Sequence, residues 1–259
     1  MTAGVAVVRG RIRESFHRIH AAVRGPQSDG GTESTHDAFS VGDSGRITYL
    51  RSCAKPLQAL PLVEDGVAEA YDLTDEELAV CCASHSGEPE HLERVRSILS
   101  RIESAEEALE CGVRRPLRTE VADDVLSGGE AFSVLHNNCS GKHAGMLALA
   151  EHGGWSPAGY SDADHPVQRR MVAEMARWAE VGREKMETAT DGCGVVTFAL
   201  SLERMARIFA RLGEAAADEP AEADLVSSSH LFEALVDAYR NGALDAVEDT
   251  YYPEDSTFF

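Results

Sequence analysis

The sequence predicts an α/β protein in which helices cover a sheet. Three observations carry that expectation. Short β-branched or aromatic runs fill the N-terminal third, strand-like and helix-like segments alternate after residue 50, and the 259 residues are 43% hydrophobic, enough for one substantial core.

Residues 4–9, 15–23 and 46–50 read as extended segments, and Gly42-Asp43-Ser44-Gly45 as a turn joining two strands. Residues 26–36 are polar and glycine-bearing, which is loop composition. Thr74-Asp75-Glu76-Glu77 has the T-x-x-E form of a capping box, so a short helix starts there and stops within residues 84–89. Pro89 suits a first helical position, with Leu92, Val95, Ile98 or Leu99, and Ile102 following at helical spacing. Residues 132–135 read as a brief strand, 136–142 as a loop and 144–151 as a helix closed by Gly153-Gly154. Asp164 is expected to cap the next helix, with Pro166 near its first position and Val167, Met171, Met175 and Trp178 on its buried face. A glycine-flanked loop at 190–194 then runs into a helix expected over 197–212. Residues 1–212 are accordingly read as one α/β domain. Residues 213–259 are read as an acidic linker over 214–224 and a divergent tail with one helix over 231–239.

The charge balance excludes a class of partners. Asp and Glu number 44 against 24 Lys and Arg, a formal net charge of -20 at pH 7. Nucleic-acid phosphates are held by clustered cations, and no basic patch is present, so no nucleic-acid role is expected. No run reaches the roughly 18 apolar residues of a membrane span, and the first twenty residues lack a signal-peptide core, so neither a membrane nor a secreted location is expected. An acid-rich, lysine-poor surface of this kind is tolerable where salt screens its self-repulsion, which suggests a halophilic source. Six dispersed cysteines, two of them adjacent inside an apolar run, suit buried thiols in a reducing cytoplasm better than disulfides.

Only Lys55, Lys142 and Lys185 are lysines, so each is a candidate for amine chemistry. Two of them end a nucleophile-x-x-lysine tetrad: Ser52-Cys53-Ala54-Lys55 and Cys139-Ser140-Gly141-Lys142. An i, i+3 spacing brings two side chains together on a helical turn, and a lysine whose pKa is lowered can take a serine proton. Pro56 and Pro61 require the first tetrad to sit at a helix start or in a 3₁₀ turn, and Pro61 would interrupt a continuous helix. A serine at a helix start beside a snorkelling lysine satisfies the same pattern. Ser84 and Ser86, in Ala83-Ser84-His85-Ser86-Gly87-Glu88, are either a nucleophile or substrate ligand, or simply helix caps. Cys139 and Cys193 each sit in a glycine-bounded loop before an apolar helix. With Lys142, His136 or His143 as a third ligand they could hold zinc; without one they are buried or reactive thiols.

Four blocks, at residues 51–66, 83–91, 136–150 and 190–202, resemble in sequence and order the signature blocks of the Rhizobium etli type L-asparaginases (the class 3, or asparaginase II, family). The likeness runs from about Val5 to Leu212. It implies a serine β-lactamase/glutaminase-like fold, a homodimer, and hydrolysis of L-asparagine to L-aspartate and ammonia. It assigns Ser52, Lys55 and Ser84 to catalysis, Cys139, Lys142 and Cys193 to zinc with water as fourth ligand, and Arg51 and Asp191 to the border of the substrate. It also implies a second lysine in the C-terminal part, whereas this chain has none after Lys185. The alternative to an active amidohydrolase is therefore an impaired or inactive member, truncated at the C-terminus, that binds an amino acid or a protein partner. A penicillin-interacting serine enzyme shares S-x-x-K, but S-D-N and K-T-G are absent.

Overall fold

The computed structural model describes residues 4–24 and 37–217. The expected loop at 26–36 lies outside these residues, and so do the helix at 231–239 and most of the acidic linker. β1 (Gly4–Arg9) and β2 (Ile12–Arg18) form an antiparallel hairpin, and its strands are exposed along their whole length. The expected segment at 15–23 is thus split, with its second half in β3 (Ala21–Arg24), which pairs antiparallel with β4 (Asp37–Val41). β5 (Ile47–Tyr49), β6 (Glu187–Thr190) and β7 (Val196–Ser201) make a third antiparallel sheet with β7 at its centre. The helix-and-strand class holds, while the described strands divide among three small sheets rather than joining one.

β7 replaces the first part of the helix expected over 197–212. Val195 to Leu200 form a continuous apolar and β-branched run buried on both faces, and such a run carries no periodicity that tells strand from helix. α8 (Leu202–Ala217) begins only after it. This helix passes through Gly213 to Ala217, so residues 214–217 continue it. The strand expected at 132–135 is also absent: Val134–His136 is a 3₁₀ turn closed by the Ser133 amide donating to His136 Nδ1 at 2.9 Å, local bonding that competes with a ladder.

The helices build the core. α1 (Lys55–Glu64), α2 (Val67–Ala70), α3 (Asp75–Cys82), α4 (Pro89–Arg101) and α7 (Pro166–Ala179) surround α6 (Ser140–His152); α5 (Thr119–Ser127) buries only Ala122. α6 is buried at every position from Ser140 to Ala150, which no amphipathic surface helix could be. Two glycines allow it to sit that close. A Cβ on Gly141 would lie 2.3 Å from the Val80 carbonyl oxygen, and one on Gly145 would lie 3.0 Å from Cys81 Sγ.

α3 starts at the expected capping box, with the Thr74 amide donating to Glu77 Oε2 at 2.7 Å and the Glu77 amide to Thr74 Oγ1 at 3.3 Å. Pro89 is the first residue of α4. The cap of α7 is His165, whose Nδ1 accepts from the Val167 amide at 3.2 Å, and not Asp164. Either side chain offers an acceptor near that helix start, and the imidazole is the one that reaches. Pro61 lies inside α1 without ending it; Leu57, Leu60 and Leu62 are buried around it and hold the turn. Buried Glu174 joins α7 to α1 through Arg170 and Arg177, which also pair with Glu64. Among the described residues no helix is long and apolar enough to cross a membrane.

Candidate active site

Three chain segments converge at the N-terminus of α6. The first leaves β5 at Leu50, whose amide donates to the Phe198 carbonyl at 2.9 Å. It turns at Arg51, whose backbone lies in the left-handed region at φ 53, and forms a 3₁₀ turn over Arg51–Ala54 that runs into α1 at Lys55. Ser52 and Lys55 thus occupy the 3₁₀-to-helix start that the prolines require. They do not bond through their side chains: the Lys55 amide donates to the Ser52 carbonyl, while Lys55 Nζ runs inward.

Lys55 is 1% exposed. Its Nζ lies 2.8 Å from the Ala83 carbonyl, 3.0 Å from the Asn138 carbonyl and 2.8 Å from Ser84 Oγ. The partner of this lysine is therefore Ser84, 29 positions away, and not Ser52. Carbonyls only accept, so the two backbone contacts consume two N–H bonds whatever the charge state. The third contact is an N–H donated to Ser84 when Nζ is an ammonium, or a lone pair accepting the Ser84 hydroxyl when it is an amine. Burial lowers the Lys55 pKa, and the nearby Lys142 pushes the same way against the opposing pull of Cys139 and Cys193. Ser84 is only partly buried, and its hydroxyl is held by a buried amine.

The second cluster sits beside the first. Lys142 Nζ donates to Cys193 Sγ at 3.2 Å. Cys139 is held down to about 5 by its hydrogen bond with Cys193 and by the neighbouring Lys55 and Lys142 side chains, against the effect of burial. The same hydrogen bond and burial raise Cys193, so the pair shares a proton that Cys139 loses first. Burial, with Glu77 beside Cys81 and Cys193 beside Cys111, pushes Cys81 and Cys111 up to about 12. Cys139 is thus the buried cysteine with thiolate character. His143 Nδ1 bonds the Tyr160 hydroxyl at 2.7 Å and its side chain also bonds Cys193, while His136 Nδ1 accepts from the Ser133 amide. Among the described residues no three His, Cys, Asp or Glu side chains are grouped to hold a metal, so a lysine has to complete any three-ligand set here.

The third segment is the turn carrying Asp191 and Cys193. The Asp191 amide donates to the Val195 carbonyl at 2.8 Å and the Gly194 amide to the Asp191 carbonyl at 3.0 Å. Gly194 has φ +98, where a side chain is strained. Asp191 Oδ1 meets Arg51 Nη2 at 3.0 Å, with the guanidinium largely in solvent. The structure therefore brings seven of the eight residues expected from sequence into two contact groups and one ion pair; Ser52 is in the same turn with no side-chain bond to them. Sequence reasoning left out the Ala83 and Asn138 carbonyls, which carry no side-chain signal, and the contact of His85 with Ser140.

The comparisons with known proteins bear on this geometry. The family model described as L-asparaginase II matches residues 5–241. The chain belongs to that family. A search of the curated proteins finds no match. Membership implies an amidohydrolase acting on a small-molecule substrate. The L-asparaginase II match continues past Gly213 to residue 241, so the family likeness reaches beyond Leu212, where the sequence blocks were last recognised.

Proposed function

We propose that this chain is an L-asparaginase of the Rhizobium etli type, hydrolysing the side-chain amide of L-asparagine to L-aspartate and ammonia by a Ser-Lys mechanism beside a zinc site. The observation that carries the mechanism is the 2.8 Å contact of Nζ of buried Lys55 with Oγ of partly buried Ser84. As a neutral amine, Lys55 takes the Ser84 proton while Oγ bonds to the carboxamide carbon. The C–N bond then breaks, the proton passes from Lys55 to the departing nitrogen, and ammonia leaves. Water clears the resulting aspartyl ester with Lys55 again as base. Ser52 borders the same site as a second hydroxyl. The alternative of an inactive member began from the absence of a second, C-terminal lysine; Ser84 already has an amine partner in Lys55, and this favours the active reading.

Arg51 and Asp191 suit the two charges of a free amino acid: the guanidinium would take the α-carboxylate and the carboxylate the α-ammonium, each exchanging its present partner. Cys139, Lys142 and Cys193 fit zinc, since two thiols that share a proton and an amine lie in one contact group and three protein ligands leave one tetrahedral position open. A zinc ion there would supply Lewis-acid polarisation or pin the α6 start to the Asp191 turn. The β-lactamase-like architecture and the homodimer follow from the resemblance alone, and the high-salt, cytoplasmic setting from composition. All residues assigned to the reaction lie within residues 1–212, the proposed catalytic unit; for 213–259 we propose an acidic linker and tail that begin as the continuation of α8.

Ammonia release from L-asparagine by the wild type, Ser52→Ala, Ser84→Ala and Lys55→Met tests the reading. Loss of about 10²-fold or more in Ser84→Ala and Lys55→Met is expected from removing a nucleophile or its base. Wild-type rates in both would reject the Ser84–Lys55 pair, and loss confined to Ser52→Ala would move the nucleophile to Ser52.

A further inference from the structure

Ser84 lies on an irregular strip, residues 83–88, between α3 and α4. Such a strip has no ladder to hold a reacting hydroxyl in place, so side chains must do it. Lys55 supplies one tie, through the Ala83 carbonyl and Ser84 Oγ. The next residue supplies another. His85 is 1% exposed, its ring stacks on His91 with centroids 5.4 Å apart, and its Nε2 lies 2.8 Å from Ser140 Oγ. Ser140 Oγ donates its single proton to the Leu135 carbonyl at 2.9 Å, so towards His85 it can only accept. The hydrogen-bond network therefore assigns the imidazole proton to Nε2. Among the described residues His85 Nδ1 is buried with no hydrogen-bond partner, so Nε2 is the ring's one tie to the protein.

These contacts close a ring. From Lys55 it runs to the Asn138 carbonyl, along Cys139 to Ser140, across to His85, and back through Ser84 to Lys55 Nζ. The ring joins the Ser84 hydroxyl to the turn that carries Cys139 and Lys142, so the two halves of the site keep one spacing.

We infer that His85 is a positioning residue for the hydrolysis: its Nε2–H bond to Ser140 holds Ser84 Oγ in line with Lys55. The inference rests on the hydrolase reading for its role and goes beyond it in naming the residue and the donor atom. Its removal misplaces the nucleophile without touching substrate, so it lowers kcat and leaves KM nearly unchanged.

The test pairs His85→Asn, His85→Gln and Ser140→Ala with the double variant His85→Asn/Ser140→Ala. The Gln amide nitrogen reaches the place of Nε2 and the Asn amide does not. The expected result is a fall in kcat of about 10²-fold in His85→Asn and Ser140→Ala, substantial recovery in His85→Gln, and a double variant no worse than either single one. Wild-type kcat in Ser140→Ala, or equal loss in the Gln and Asn variants, would overturn the inference. A second readout does not depend on turnover: nitrogen-15 histidine NMR of the wild type should show a buried Nε2–H tautomer whose signal moves in Ser140→Ala. An Nδ1–H tautomer would refute the assignment even in an active enzyme. A wild type that releases no ammonia but shows the Nε2–H signal would remove the hydrolase reading and keep the hydrogen bond, while removing its catalytic role.

Discussion

Gly141→Ala offers a direct measure of how tightly α6 is seated under the site. The added Cβ would lie 2.3 Å from the Val80 carbonyl oxygen and 2.7 Å from the Val80 carbonyl carbon. Both are backbone atoms of α3, which cannot rotate out of the way as a side-chain tip could. One helix must shift by about an ångström or the substitution leaves a clash, and overpacking of this kind costs about 1–3 kcal/mol or more. For a domain of this size each kcal/mol moves Tm by roughly 2–4 °C, so a fall of about 2–12 °C is expected. Gly213 supplies the control. It lies inside α8 with nothing within 4 Å of its own added Cβ, so Gly213→Ala should stabilise by about 0.5–1 kcal/mol through helix propensity alone. Thermal melts of the two variants, followed by circular dichroism, check both signs at once. Equal or raised Tm in Gly141→Ala would refute the close approach of α6 to α3, and with it the seat of Lys142 and Cys139.

Other outcomes follow from the same contacts. Glu174 is 2% exposed and accepts from Trp178 Nε1 at 2.7 Å and Arg170 Nη1 at 2.7 Å; Glu174→Ala leaves the buried Trp178 donor without its acceptor while Arg170 and Arg177 keep Glu64, and should cost about 1–3 kcal/mol in urea unfolding. Cys81 and Cys111, held up to about 12 from 9.0, keep their protons in the fold where the unfolded chain loses them. Their contribution is therefore present below pH 9 and lost as pH rises from 9 towards 12; unfolding midpoints should fall across that window, and less steeply in Cys111→Ala. Removing metal with a chelator should lower Tm of a zinc-loaded preparation, with one zinc per chain restoring it. An unchanged Tm with no metal bound would remove Cys139, Lys142 and Cys193 as a ligand set.

Local signals were the legible part of the fold. The Thr74 capping box, Pro89 and Pro166 at helix starts, and the Val167, Met171, Met175, Trp178 stripe all correspond to structure, because capping and periodicity act within a few residues. The run at 195–200 was not legible, since a strand buried on both faces and a buried helix share one composition, and Phe198 stands four residues before Leu202 by coincidence. His165 displaced Asp164 as a cap because ring geometry, not residue class, decided which acceptor reached the Val167 amide. At the site, scarcity of lysine pointed to Lys55 and Lys142, and both lie at its centre. Spacing then paired Lys55 with Ser52 three positions away, where the fold pairs it with Ser84. Tertiary packing turned Nζ inward, and no local pattern contains that turn. The His85 contact with Ser140 spans 55 positions and was equally out of reach of spacing.

The most direct trial of the site is to trap the covalent intermediate. Wild-type protein mixed with L-asparagine and quenched in acid should carry an aspartyl ester on the peptide containing Ser84, accumulating when deacylation is slowed, and should carry none in Ser84→Ala. An adduct on the peptide containing Ser52, or sustained ammonia release by Ser84→Ala, would contradict the pairing of Ser84 with Lys55.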